Sequence, residues 1–587
     1  HGSRTPSAKA NDEPYQQGGF NQGPQNTRSE VLVDKLPEDI FHHIYSLVPL
    51  QDAARAACVS HGFLCFWRRY PNLTLNEKTL RLDGTKLSLD AEALALYGTG
   101  YKVDKMESYL VNRIDHILKN HSGIGLDTLK LQLYPCINIG ASCLDAWLQI
   151  ANKSRIKELA LELSVYKKTE YNFPCMFLSG ELGKSIQSLR LSCCAFRPME
   201  RTLGCLSILT CLCLRSVRVN EEELARLLSN CPALEKLDMI FCNEIICLKI
   251  PSTLCHLSLL SVFECEILQA VEINAPNLST FHYAGAPAQI SPGDLHVREI
   301  HMLGLLYSDM INYARTKLTS IAPYVESLTL SSQNETVNTP MEPSKFLHLK
   351  HLDISLSGAP TFSPSYDFFS LASFLNASPV LESFILRIKQ DGIRHDSVLE
   401  NSSGDQELTG QNSEWRLDCL KKVMITGFCS SKSLIELTSH ILDKTSSLKC
   451  LTLDTTRYDE RSFVNIDKCF PMSRAALVEA HKAIKAIKRF IEGKVPLNVS
   501  FKENSGYKYN IGCARHFPPR RSSEELLAAD IVIEADDERA DLHRPQLDNE
   551  LGRINRTSSD HGKIKHELRT ELTKLLPLEK SISEEGQ

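Results

Sequence analysis

The sequence predicts an α/β chain: a small N-terminal helical hairpin, then an irregular solenoid with a curved parallel sheet inside and helices outside. Three observations carry this expectation. Short runs of the form Leu-x-Leu return at a nearly fixed step through the middle of the chain. Amphipathic segments lie between them and end in Asn-Cys-Pro or a similar stop. Ahead of both, residues 36–67, LPEDIFHHIYSLVPLQDAARAACVSHGFLCFW, show helical periodicity broken by a proline.

In that first stretch Ile40, Ile44 and Val48 recur every four residues, with Phe41 and Tyr45 beside them. One stripe of the helix is therefore apolar, while Glu38, Asp39, His42 and His43 lie off it. Pro37 suits a helix start. Pro49 ends the helix, because it lacks a backbone donor and pushes the preceding residue out of the helical region. Asp52 is expected to cap a second helix running through Val59. A hairpin this small cannot bury enough apolar surface alone, so it must lean on a neighbouring domain or a partner. The residues Leu36-Pro37-Glu38-Asp39-Ile40, the spacing of Ile44 and Val48, Pro49-Leu50, Asp52, Arg55 and Val59-Ser60 resemble an F-box. One departure is visible: many F-boxes carry tryptophan four residues after the valine, where this chain has Phe63, with Trp67 one turn later. The resemblance implies a Skp-family adaptor as partner and, through it, a cullin. It also implies that Leu36, Pro37, Ile40, Ile44, Val48, Pro49, Leu50, Ala54 and Val59 face that adaptor.

The repeats come next. Leu189-x-Leu191-x-x-Cys194, Leu212-x-Leu214-x-x-Val217, Leu237-x-Met239-x-x-Cys242 and Leu260-x-Val262-x-x-Cys265 follow one another at a step of about 23 to 25 residues, within the leucine-rich-repeat range. Weaker copies start at Leu129, Leu159, Phe281, Ile300, Leu328, Leu352, Phe384, Val423 and Leu451. Each Leu-x-Leu points two side chains to one face of a short strand, because side chains alternate across it. The later Cys or Val fills an inner turn where a small group fits. No repeat closes its own core, so stacked repeats must bury one another's apolar faces. The segments 224–237, LARLLSNCPALEKL, and 373–384, SFLNASPVLESF, each read as a helix, a stop and the next strand. These repeats resemble the irregular leucine-rich repeats of plant F-box proteins. Residues 475–495 place Leu477, Ile484, Ile487 and Ile491 on one helical face, then stop at Gly493 with Pro496 beyond. That stretch resembles part of the FBD module found after such repeats, and is expected to cap the last of them.

The expected organisation is a disordered segment at 1–30, an F-box at 31–75, a linker or N-terminal cap at 76–124, repeats at 125–460, an FBD-like cap at 461–515 and a charged, largely disordered tail at 516–587. Within the tail, Ile564, Leu568, Leu572 and Leu575 fit one amphipathic helix, and the loop at 391–413 is polar like the N-terminal segment.

Composition narrows the function. With 587 residues, 42% hydrophobic and 23% charged, the chain can bury a large core. A net charge of -5 argues against nucleic acid as a partner, which calls for a basic face. No run of eighteen or more apolar residues and no signal-like opening is present, so neither membrane insertion nor secretion is expected; with His1 first, this covers only the residues given. Twenty cysteines include no Cys-x-x-Cys pair, and the close pairs Cys193-Cys194 and Cys211-x-Cys213 lack the second half of a zinc site. Most sit in apolar runs, where a free thiol is a small buried hydrophobe, and this fits a cytoplasmic or nuclear compartment. Phosphate-loop, nucleophile-elbow and His-Glu-x-x-His patterns are missing from the sequence, and His348 and His351 read as surface or packing residues. No cofactor or metal is expected. The resemblances together imply a non-catalytic substrate-recognition subunit of a Skp-cullin-F-box ubiquitin ligase that presents a target protein of unknown identity. The rival classes are a ligase-independent repeat scaffold and an F-box receptor for a small-molecule signal.

Overall fold

The computed structural model describes residues 38–59, 61–80, 100–134, 136–198, 206–291, 296–304, 310–333, 335, 345–357, 366–389, 397–399, 416–455 and 474–504. All of them belong to one compact unit, His1–Asn510. The expectations for 1–30, for most of 391–413 and for the tail at 516–587 fall outside the described residues.

Among the described residues, fifteen strands form one parallel sheet in chain order. They are β1 (Asn72–Leu75), β2 (Thr128–Leu133), β3 (Glu158–Leu163), β4 (Ser188–Ser192), β5 (Cys211–Arg215), β6 (Lys236–Ile240), β7 (Leu259–Phe263), β8 (Thr280–Ala284), β9 (Glu299–Gly304), β10 (Ser327–Gln333), β11 (His351–Ser357), β12 (Ser383–Lys389), β13 (Lys422–Thr426), β14 (Cys450–Asp454) and β15 (Ser500–Asn504). Burial alternates along many of them, as in β2, where Leu129, Leu131 and Leu133 are buried and their neighbours are not, whereas in β3 and β7 every residue after the first is buried. The pairing register sets the second residue of every strand, an apolar one, beside that of the next. Leu212 pairs with Leu237, Leu237 with Leu260, Leu260 with Phe281 and Phe281 with Ile300. All thirteen repeat starts expected from the sequence stand in this one column. The column also continues beyond the expected range, to Leu73 before Leu129 and to Phe501 after Leu451.

Helices cover the buried face over much of the array. Between β2 and β3, Ala141–Lys153 buries Leu144, Trp147, Leu148 and Ala151. Between β5 and β6, Glu221–Ser229 opens on a capping box: Asn220 accepts from the Glu223 amide at 2.9 Å, and Glu223 accepts from the Asn220 amide at 2.8 Å. Two donors that a helix start leaves unpaired are thus satisfied. From β6 to β9 the outer layer departs from expectation. There Cys247–Ile250, Ala270–Ile273 and Gln289–Ser291 form a second parallel sheet of three strands. The repeats are short here, and Leu248/Ile250 and Val271/Ile273 alternate with a period of two, which buries one side of a strand rather than a helical stripe.

The strand ends share a backbone device. Cys193, Ser216, Phe241 and Glu264 occupy successive repeats with φ of 56°, 48°, 53° and 47°. Each takes the left-handed conformation, at a cost of roughly 1–2 kcal/mol for a residue with a Cβ, and the next residue turns inward. Those inward residues, Cys194, Val217, Cys242 and Cys265, are buried. The thiols of Cys194, Cys242 and Cys265 are free, burial pushes the Cys194 thiol up, and contact with the Cys265 thiol raises Cys242.

Two ends differ from the sequence reading. The N-terminal hairpin has three helices rather than two: α1 (Glu38–Leu47), α2 (Leu50–Ala57) and α3 (His61–Trp67). Asp52 does not cap α2. Pro49 holds the cap position, its carbonyl accepts from the amides of Asp52 and Ala53 at 2.9 and 3.0 Å, and the Asp52 carboxylate pairs with Arg55 inside the helix. The fixed φ of proline suits the start of a helix, so the cap falls three residues before Asp52. At the other end Arg474–Phe490 packs on Lys432–Lys444 and buries Ala483, Ala486 and Ile487. The Glu479 carboxylate accepts from the Ser430 amide at 2.8 Å. The helix stops at Phe490, and a 3-10 turn, Glu492–Lys494, leads into β15.

Gly427 shares the left-handed position at the end of β13, with φ of +68°, and an added Cβ would collide with the Ile388 carbonyl. Gly427→Ala should therefore destabilise the array by about 2 kcal/mol or more, while Ser216→Gly should be neutral or stabilising. Urea midpoints of the two variants check this, and a neutral Gly427→Ala would contradict the turn. In the same array Cys194 and Cys242 should alkylate slowly in the native state and rapidly in denaturant. Fast native labelling of both would contradict the inward turn.

Candidate docking surfaces

The N-terminal helices are tied to the start of the sheet by polar contacts that local sequence pattern does not show. The Tyr70 hydroxyl donates to the Val48 carbonyl at 2.7 Å, and the Asn72 side chain to the Ser46 carbonyl at 3.2 Å. The Gln51 amide donates to the carbonyls of Lys78 and Thr79 at 3.0 and 3.2 Å. Leu50 and Ala53 are buried, and Val48, Phe63, Phe66 and Trp67 pack at the edge of the core. With that side anchored, the other side is left bare. Ile40, Ile44, Leu47 and Val59 are 45%, 42%, 73% and 78% exposed. Ile40, Ile44 and Leu47 fall on one face of α1, four and then three residues apart. Contiguous exposed apolar side chains of this size mark an interaction surface.

Of the nine residues implied by the F-box resemblance, Leu36 and Pro37 lie outside the described residues. Ile40, Ile44, Pro49 and Val59 are exposed, and Val48 and Ala54 are half-buried. Leu50 is packed into the chain's own core and positions α2 instead of offering area to a partner. Leu47, absent from that set, is among the most exposed apolar side chains of the hairpin. Leu47 lies seven residues after Ile40 on the same helical face, and the anchoring of Val48 shows that this edge of the face is the open one.

The second surface is the face of the sheet opposite the buried column. Its middle row, read across the register, runs Lys130, Ala160, Arg190, Cys213, Asp238, Ser261, His282, His301, Thr329 and Asp353. Charges here are paired along and between strands. Lys130 meets Glu158 at 2.9 Å, Lys236 meets Asp238 at 3.2 Å and Arg387 pairs with Asp353. The nearly buried Glu162 accepts from Tyr134 and from Gln132 at 3.3 Å, with the Arg190 guanidinium at 3.9 Å. Burial and the Glu162 charge push the Tyr134 phenol up. At the centre His282 and His301 lie with ring centroids 4.4 Å apart, and His301 contacts Glu299 at 2.9 Å. Sequence reading singled out neither imidazole, since they become neighbours only once the register is set. His348 is exposed and tilted against Tyr324 at 5.7 Å, which in turn stacks on His296 at 5.1 Å; His351 is exposed at the start of β11. Among the described residues no group of three or more His, Cys, Asp or Glu side chains is placed to hold a metal ion. No helix among them is long and apolar enough to cross a membrane.

A parallel sheet stacked from Leu-x-Leu strands with a buried column defines a leucine-rich-repeat protein. The family model described as "At1g61320/AtMIF1, LRR domain" matches residues 117–504, and the chain belongs to that family. It is 24% identical over 456 residues to the Arabidopsis thaliana protein "Putative FBD-associated F-box protein At1g61330", covering 72% of this chain and 90% of the relative. It is 26% identical over 392 residues to "FBD-associated F-box protein At1g61320" from the same plant, covering 62% and 80%. A solved structure, "Crystal structure of LRIM1/APL1C complex", overlays 76% of this chain and 79% of its own at a TM-score of 0.25 and 14% identity. The chain is thus similar to plant F-box and leucine-rich-repeat proteins along most of its length.

Burial and the neighbouring His301 lower His282 from its ordinary value to about 4. Glu299 and Asp238 oppose that shift, and Lys236 adds to it. The unfolded chain binds this proton near pH 6.5 and the folded chain does not, so stability should fall as pH drops from about 6.5 to about 4, by on the order of 2 kcal/mol from this site. His282→Gln should shrink the difference between urea midpoints at pH 7 and pH 4.5. An unchanged difference would mean that His282 takes up its proton without cost.

Proposed function

We propose that the chain is a substrate-recognition subunit of a Skp-cullin-F-box ubiquitin ligase. The observation that carries this reading is the bare apolar stripe of Ile40, Ile44 and Leu47, with Val59 nearby, on helices fixed to the first strands of a leucine-rich-repeat array. The names of its plant relatives support the same reading. In it, residues 31–75, with the helices α1, α2 and α3, form the F-box and hold a Skp-family adaptor, which brings a cullin. Ile40, Ile44, Leu47 and Val59 give the apolar area of that contact, with Val48, Pro49 and Ala54 at its margin.

The chain performs no chemistry in this account. The open face of the sheet holds a target protein close to the ubiquitin-charged enzyme, so that a bimolecular encounter becomes a local one of high effective concentration. The helix and strand at 474–504 close the array. The free thiols fit a reducing cytoplasmic or nuclear setting.

Ile40 is exposed, so Ile40→Asp should leave the fold within about 0.5 kcal/mol of the parent. A carboxylate forced into an apolar contact should weaken adaptor capture by several kcal/mol. Co-purification with a Skp-family adaptor is the measurement. Undiminished capture by a doubly substituted Ile40→Asp, Ile44→Asp chain would remove the stripe from the interface and, with it, the basis for the ligase reading.

A further inference from the structure

A cleft lies where the N-terminal helices meet the helix Gly100–Asn120, which precedes β2. It encloses about 570 Å³, within the range of small-molecule sites. Leu50, Ala54, Trp67, Leu80 and Ile117 give it an apolar body. Arg55, Arg113 and His116 stand on its walls, and none of its described lining residues is Asp or Glu. Arg55 pairs with Asp52 one turn earlier on α2. Arg113 is fixed in place: one guanidinium nitrogen donates to the Leu80 carbonyl at 3.2 Å, and the group lies 4.8 Å over the Tyr109 ring. The guanidinium carries five donors in a planar fork, and this carbonyl takes one of them.

We propose that this cleft binds an amphiphilic monocarboxylate, its apolar body against Trp67 and Leu80 and its carboxylate on the Arg113 guanidinium. The argument is charge complementarity. An apolar cavity with the Arg113 guanidinium on its wall, the Arg55 charge already met by Asp52, and no acid among its described lining residues favours a ligand with one negative end over a neutral or cationic one of equal size. A planar fork already pinned at one nitrogen gives up little side-chain freedom on binding. The cleft shares Ala54 with the margin of the adaptor contact proposed above, but none of Ile40, Ile44, Leu47 and Val59 lines it, and ligand binding to the free chain is read without the adaptor.

Isothermal titration of the full chain with dodecanoate, and with dodecanol as the uncharged partner of equal length, tests this. One dodecanoate should bind per chain, at least tenfold tighter than dodecanol. Arg113 is exposed, so Arg113→Ala should fold normally; it should cost dodecanoate about tenfold and leave dodecanol unchanged. Ala54→Trp, which fills the cleft, should abolish binding of both. Absence of saturable dodecanoate binding to the free chain would overturn the proposal and favour a polypeptide occupant. Equal affinity for acid and alcohol, or binding that Arg113→Ala does not touch, would overturn it as well.

Discussion

The buried column that begins at Leu73 and runs through Leu237 to Leu451 is the constraint on which the other features depend. Each of these side chains loses water only because the strands on either side supply its walls. Full burial of a leucine or phenylalanine contributes about 1.5–3 kcal/mol relative to exposure. Since a single repeat presents that group on an open face, the gain is realised between neighbours and not within a repeat. Strand register, the order of the sheet and the identity of its open face all follow from keeping the column continuous. A slip of one residue in any strand would turn its leucines outward and its charges inward.

The array accommodates irregular repeats because only the strand and the turn after it are held constant. After β4 to β7 the chain takes a left-handed residue and then a small buried one, Cys194, Val217, Cys242 or Cys265. The outer layer is free to change from the helix Glu221–Ser229 to the strand Cys247–Ile250 within one step. It is also free to lengthen where loops intervene. The start of the array is held by Tyr70 and Asn72, whose bonds to Val48 and Ser46 set the N-terminal helices against β1. These bonds set the angle between the bare stripe and the open face. In the proposed function that angle determines where a held target stands relative to the adaptor.

Much of this was legible in the sequence, and the reason is the strand period. Leu-x-Leu spacing survives irregular connections because alternation across a strand is local, so repeat starts as weak as Phe281 and Val423 took their places in the column. Leu73 and Phe501 escaped because each stood inside a segment already assigned to another module. Asp52 misled because a short polar side chain near a helix start is a common cap, and Pro49 had already filled the position. The outer strands escaped because Cys247-Leu248-Lys249-Ile250 is too short to separate a period of two from a helical turn. At the candidate surfaces, Ile40 and Ile44 could be read from helical spacing, whereas Leu47, the inward turn of Leu50 and the pairing of His282 with His301 depend on tertiary contacts.

The continuity of the column is tested most directly by native-state hydrogen exchange on Leu237→Ala. The substitution should cost about 2–5 kcal/mol. Because the loss is shared with the two walls of the site, protection should fall most in β6, β5 and β7 and recover with distance along the sheet, leaving β2 and β13 near the parent value. An equal loss of protection in every strand, or a loss confined to β6 alone, would contradict a core built from nearest-neighbour stacking.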